Sequence, residues 1–141
     1  MLSATAPYTQ LFTGGAYRFA AHVAHYPVCW IYNRISGYAF SAFTGAPVLI
    51  QAGERDTYDL PDTCPKLVAS LPVDAQALVS VKMYRNATHA WDRLQPPIAV
   101  TDPFSHLGAG GEVDFVPNPG AAIRSRNKAT QFFQKAFGMS R

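Results

Sequence analysis

The sequence predicts an α/β domain of about three parallel strands with flanking helices, and three observations carry that expectation. Val48, Leu49 and Ile50 form an apolar run bounded by Pro47 and Gly53, the pattern of a strand buried on both faces. Leu78 to Tyr84 has strand character again. Between them, Pro61 to Leu71 places Cys64, Leu67, Val68 and Leu71 on one helical face, with prolines tolerated in the first turn. Strand, helix and strand make a right-handed crossover, so Ala46 to Tyr84 is the best-defined unit of the chain.

The remaining elements follow in order. Met1 to Ala6 reads as the tail of a helix, and Gly14-Gly15 as its terminating loop. Phe19 to Val28 is apolar and is ended by Pro27, which predicts another buried strand. His22 and His25 stand three apart on it and so face opposite ways, which favours core or edge histidines over a shared metal. Cys29 to Gly45 is loop-like and aromatic, with Trp30, Tyr32, Tyr38, Phe40 and Phe43. Such a cluster either walls a substrate pocket or packs loop against sheet, and packing is favoured because aromatic rings bury large area wherever they fall.

Glu54, Asp56 and Asp59 follow the Val48 strand, and Asn86 to His89 follow the Leu78 strand. Both loops leave the carboxyl ends of strands, where catalytic groups collect in open α/β sheets. Arg93 to Gly120 carries too many prolines and glycines for a helix, with a small hairpin of Ile98 to Thr101 and Glu112 to Val116 expected inside it. That segment either covers the mouth of a site at His89 or is an ordinary surface excursion. Its G-A-G-G lacks the preceding strand and following Lys-Ser/Thr of a phosphate loop. Asn118-Pro119 starts the last helix, Ala129, Phe132, Phe133, Ala136 and Phe137 form its stripe, and Gly138 ends it.

A chain of 141 residues suits one domain, residues 1–141. Charged residues are 15% of it, against an ordinary ~25%, and the net charge of +3 comes mostly from Arg124, Arg126, Lys128, Lys135 and Arg141, which read as a solvated helix face. No apolar stretch is long enough to span a membrane and no leader pattern follows Met1, so a soluble chain is expected, cytoplasmic or exported by a signal lying upstream. Cys29 and Cys64 make no zinc or C-x-x-C pattern; following neighbouring strands at one sheet edge, they are either a disulfide or two buried thiols. Neither nucleic acid nor a cofactor is implied, there being no basic-aromatic groove and no dinucleotide fingerprint.

A histidine becomes a useful general base when a carboxylate holds one ring nitrogen and leaves the other to take a proton. Asp56 and His89 are the candidates, with Asp59 as the alternative acid and Asp92 a weaker third. The residues G-E-R-D at Gly53 to Asp56, P-D-T-C at Pro61 to Cys64, N-A-T-H-A-W-D at Asn86 to Asp92 and F-A-A-H-V-A-H-Y-P-V-C at Phe19 to Cys29 resemble the dienelactone hydrolase family of α/β-hydrolases. The resemblance covers nearly the whole chain, as the C-terminal portion of a family member, and whole α/β-hydrolases are usually considerably longer.

It implies that Asp56 and His89 are the catalytic acid and base of a Ser(or Cys)-His-Asp hydrolase acting on a small-molecule ester or lactone. The nucleophile elbow is missing. No G-x-S-x-G or G-x-C-x-G occurs, Ser36 has only the trailing glycine, Ser105 lies after the histidine, and Cys29 lacks the strand-turn-helix that exposes a nucleophile. The oxyanion hole goes with it, so the isolated chain is expected to be inactive. The alternative is a truncated, non-catalytic product that needs a complementary N-terminal hydrolase fragment or acts only in binding. In the family's sheet order, removal of the upstream strands leaves the Phe19 strand with an unpaired edge.

Overall fold

Pairing around Val48–Gly53 sets the architecture. The computed structural model of the chain describes residues 1–139. Strands β1 (His22–His25), β2 (Val48–Gly53) and β3 (Val79–Tyr84) form a parallel sheet in the order β1-β2-β3, with His22 opposite Val48 and Val48 opposite Val79. All six residues of β2 are buried, as expected of a central strand covered on both faces and opened by the apolar run Val48 to Ile50. Helices α1 (Ala6–Thr13), α2 (Thr63–Ala69) and α3 (Val73–Gln76) precede or connect the strands. After β3 come an antiparallel pair, β4 (Ile98–Asp102) and β5 (Gly111–Phe115), with a short segment α4 (Ser105–Gly108) between them, and then α5 (Pro119–Ala136). The expected mixed α/β fold, with three parallel strands and flanking helices, is therefore present.

Several boundaries differ from the sequence reading, each for a local reason. The strand expected over Phe19 to Val28 is only four residues long, because Tyr26 turns to φ 36° and Phe19 is exposed before the first pairing at His22. The first helix does not end at Ala6 but begins there. Pro7 sits in its first turn, where a missing N–H is no loss, and Gly14 closes it in the left-handed conformation. The helix expected over Pro61 to Leu71 is the shorter α2, with α3 following Pro72. The hairpin forms close to where its pattern placed it, and Asn118 caps α5 by accepting from the Ala121 amide at 3.0 Å.

Two apolar clusters flank the sheet. Val48, Ile50 and Ala52 pack with Cys29, Phe40, Cys64, Leu67 and Leu71 on one face. The other cluster gathers Tyr84, Ala87, Trp91 and Ala121. Gln51 is fully buried between β2 and α5, which is tolerable only because its amide is satisfied: it accepts from the Tyr84 hydroxyl, donates to the Ser125 carbonyl at 3.2 Å and meets His25 Nε2 at 3.1 Å. Trp91 adds a bond from its indole to Ser125 Oγ at 3.2 Å. These contacts fix α5 beneath the carboxyl ends of β2 and β3. Among the described residues no helix is long and apolar enough to cross a membrane.

Candidate functional site: an aspartate and a histidine at adjacent strand ends

The two loops that leave β2 and β3 are laced together by backbone bonds. Glu54 N donates to Tyr84 O at 3.0 Å, and Arg55 N to Ala87 O at 2.9 Å. Gly53 permits this approach, since a Cβ there would stand 2.3 Å from the Ala87 carbonyl oxygen. Beyond it the chain turns so that Asp56 Oδ2 lies 2.9 Å from His89 Nδ1. The other carboxylate oxygen accepts from the amides of Tyr58 at 2.9 Å and Asp59 at 3.3 Å, so the acid is fixed by its own loop before it meets the imidazole.

His89 is held just as closely. Asn86 and Ala90 both take positive φ, 57° and 52°, and bend the chain sharply on either side of it. Asparagine tolerates that conformation; for alanine it costs about 1–2 kcal/mol. Thr88 ties the loop to the hairpin by exchanging bonds with Val116, accepting from its amide at 3.0 Å and donating to its carbonyl at 3.2 Å. Three aromatic rings surround the imidazole: Tyr58 stacked at 4.8 Å, Tyr26 edge-on at 4.9 Å and Phe115 at 5.6 Å. The side chain of His89 is 14% exposed and that of Asp56 5%. With Nδ1 directed at the carboxylate, Nε2 is the nitrogen left to exchange a proton.

The other acids are engaged elsewhere. Asp59 turns away from His89 and accepts from the Cys29 amide at 2.5 Å, the Trp30 amide at 3.0 Å and Thr63 Oγ1 at 2.7 Å. Burial pushes its carboxyl up to about 6, against the pull of those donors. Asp92 accepts from the Tyr26 hydroxyl at 3.0 Å, and burial together with that aspartate raises the phenol to about 12.

Cys29 and Cys64 form a disulfide, with Cα atoms 5.1 Å apart. Cys29 is thereby removed as a nucleophile. Ser105 is buried and donates to the Asp102 and Gly111 carbonyls, and Ser36 is exposed. None of the three makes a hydrogen bond to His89. His22 and His25 bond separately, to Ser3 Oγ at 3.0 Å and to Gln51, and burial lowers both. Among the described residues the close-set group of metal-ligand type is Cys29, Asp59 and Cys64, in which the sulfurs are bonded to each other and only a carboxylate remains to offer a cation.

The aromatic surround of His89 was not legible in the sequence. Tyr58 carried a signal, standing two residues after the acid, but Tyr26 and Phe115 come from distant elements. In the aromatic loop after β1, Phe40 is fully buried against Tyr32 and Phe43, whereas Tyr38 is exposed. Compared with protein families, characterised proteins and solved structures, the chain finds no match.

Proposed function

We propose that this chain carries the acid and base of an ester or lactone hydrolase of dienelactone-hydrolase type, and that the nucleophile comes from a complementary N-terminal hydrolase fragment. The observation that carries the reading is the 2.9 Å contact of Asp56 with His89 at the carboxyl ends of neighbouring parallel strands. In this scheme Asp56 fixes the Nδ1–H tautomer and stabilises the imidazolium, while Nε2 takes the proton of an attacking hydroxyl or thiol and returns it to the leaving alcohol. General base catalysis of this kind is worth about 10²–10⁴-fold. It yields little without a nucleophile and oxyanion donors, which the described residues do not supply around His89.

The second reading, a non-catalytic product that acts by binding, draws support from the side of the sheet beyond β1. That strand pairs only with β2 among the described residues, and Leu11, Phe12, Tyr17 and Phe19 are exposed in the segment leading into it.

Hydrolysis of an activated aryl ester separates the two. The chain alone is expected to be silent. Mixed with the N-terminal, elbow-bearing half of a dienelactone hydrolase, it is expected to gain turnover that both His89→Ala and Asp56→Asn abolish. Assembly of the two halves without turnover favours the binding reading. Turnover by the chain alone, lost in His89→Ala, contradicts the need for an external nucleophile.

A further inference from the structure

The disulfide and the acid–base pair are joined by an unbroken run of contacts. Cys29 opens the short turn Cys29–Ile31 that follows β1, and Cys64 lies in the first turn of α2. Asp59 sits between these elements. Its carboxylate accepts from the Cys29 and Trp30 amides and from Thr63 Oγ1, and its Oδ2 lies 3.8 Å from Cys64 Sγ. Its own amide in turn donates to Asp56 Oδ1, the oxygen that does not touch His89. Tyr58, the residue before it, donates to the same oxygen and stacks its ring on the imidazole. Cys29, Cys64, Asp59 and Asp56 are each under 5% exposed, so no solvent layer softens the linkage.

We propose that the Cys29–Cys64 disulfide is a thiol-sensitive clamp on the Asp56–His89 pair, acting through Asp59 as the positioning residue. The functional consequence rests on the reading of that pair as acid and base; the structural coupling does not. A dithiol opens the clamp. One of its thiolates attacks a sulfur of the disulfide and its second thiol resolves the mixed disulfide, so that Cys29 and Cys64 leave as thiols and the reagent as its cyclic disulfide. The covalent tie between the Cys29 turn and α2 is then gone, and the bonds of Asp59 and the apolar packing of Cys29, Cys64 and Leu67 are left to hold the two together. The new Cys64 thiol, 3.8 Å from Oδ2, is a further weak donor to the carboxylate that the Cys29 and Trp30 amides hold. Once Asp59 shifts, its amide leaves Asp56 Oδ1, and the Tyr58 amide alone then holds that oxygen against rotation of the carboxylate off His89.

The test follows the Nδ1–H proton of His89 by NMR in the full chain, where a carboxylate-bonded imidazole proton gives a downfield signal. The oxidised chain is expected to show it. Treatment with dithiothreitol, with both thiols confirmed by mass after alkylation of a parallel sample, is expected to abolish or broaden it while the amide dispersion of the sheet persists, and reoxidation to restore it. A reduced, folded chain with an unchanged signal overturns the clamp. If reduction unfolds the chain, Asp59→Asn decides with the disulfide intact: it sets an amide NH₂ against a backbone N–H, and an unchanged signal there also overturns the proposal. Absence of the signal from the oxidised wild-type chain overturns the acid–base pair itself, a failure distinct from that of the clamp.

Discussion

Gly53 is the residue on which the site most depends without taking part in it. Its backbone is not in the left-handed region; what it supplies is the space for the Ala87 carbonyl, 2.3 Å from where a Cβ would stand. Gly53→Ala is therefore expected to push the β2 and β3 loops apart, destabilising the fold by about 1–3 kcal/mol as other forced overpacking does. Urea unfolding checks this, and an unchanged midpoint contradicts it. At this scale the sequence was informative about placement and blind to direction. Asp56 and His89 were legible because strand ends, an acidic loop and a loop histidine coincide. The choice between Asp56 and Asp59 was not. It depends on which carboxylate the turn at Tyr58 aims inward, and the turn is made by Asp56 itself, through the amides it accepts. Asp59 then serves the neighbouring loop.

Elements formed where periodicity and punctuation agreed, and moved where they conflicted. The β2-α2-β3 crossover was legible because β2 opens with the apolar run Val48 to Ile50 and α2 has a one-face stripe. Phe19 to Val28 looked like a full strand by apolar content alone, yet pairing stops at His25 because the chain turns at Tyr26. Met1 to Ala6 reads as a helix tail, yet the helix starts at Ala6 with Pro7 in its first turn. The cap of α5 is an element-scale feature with a consequence at the site. Asn118 bonds the Ala121 amide, donates its own side-chain amide to the Asn86 carbonyl at 3.1 Å, and donates its backbone N–H to the Trp91 carbonyl at 2.8 Å. The helix start and the histidine loop thus share one residue. Asn118→Ala is expected to cost about 0.5–2 kcal/mol from the lost cap. Because the Asn86 bond goes too, thermal unfolding is expected to place the loss in the upper half of that range; a change in Tm within error contradicts the cap.

At the scale of the molecule, the sheet has a buried centre and two sides of different character. One side holds β3, the histidine loop and α5, tied together by Gln51, Tyr84, Trp91 and Ser125. The other ends at the short strand β1, beside a segment with Leu11, Phe12, Tyr17 and Phe19 exposed. A strand edge flanked by apolar side chains is a pairing surface. Asp56 and His89 sit at the carboxyl edge of this same sheet. The sequence carried this asymmetry only through its low charge, since the openness of an edge depends on which strand pairs with which.

The central claim is that Asp56 fixes His89 so that Nε2 is the free base. The ¹⁵N shifts of the His89 ring in labelled chain, at a pH where the imidazole is neutral, test it most directly. The proton is expected on Nδ1 in the wild-type chain, with a shift of the population toward Nε2–H in Asp56→Ala, where the acceptor is gone. The same Nε2–H tautomer in both proteins would contradict it.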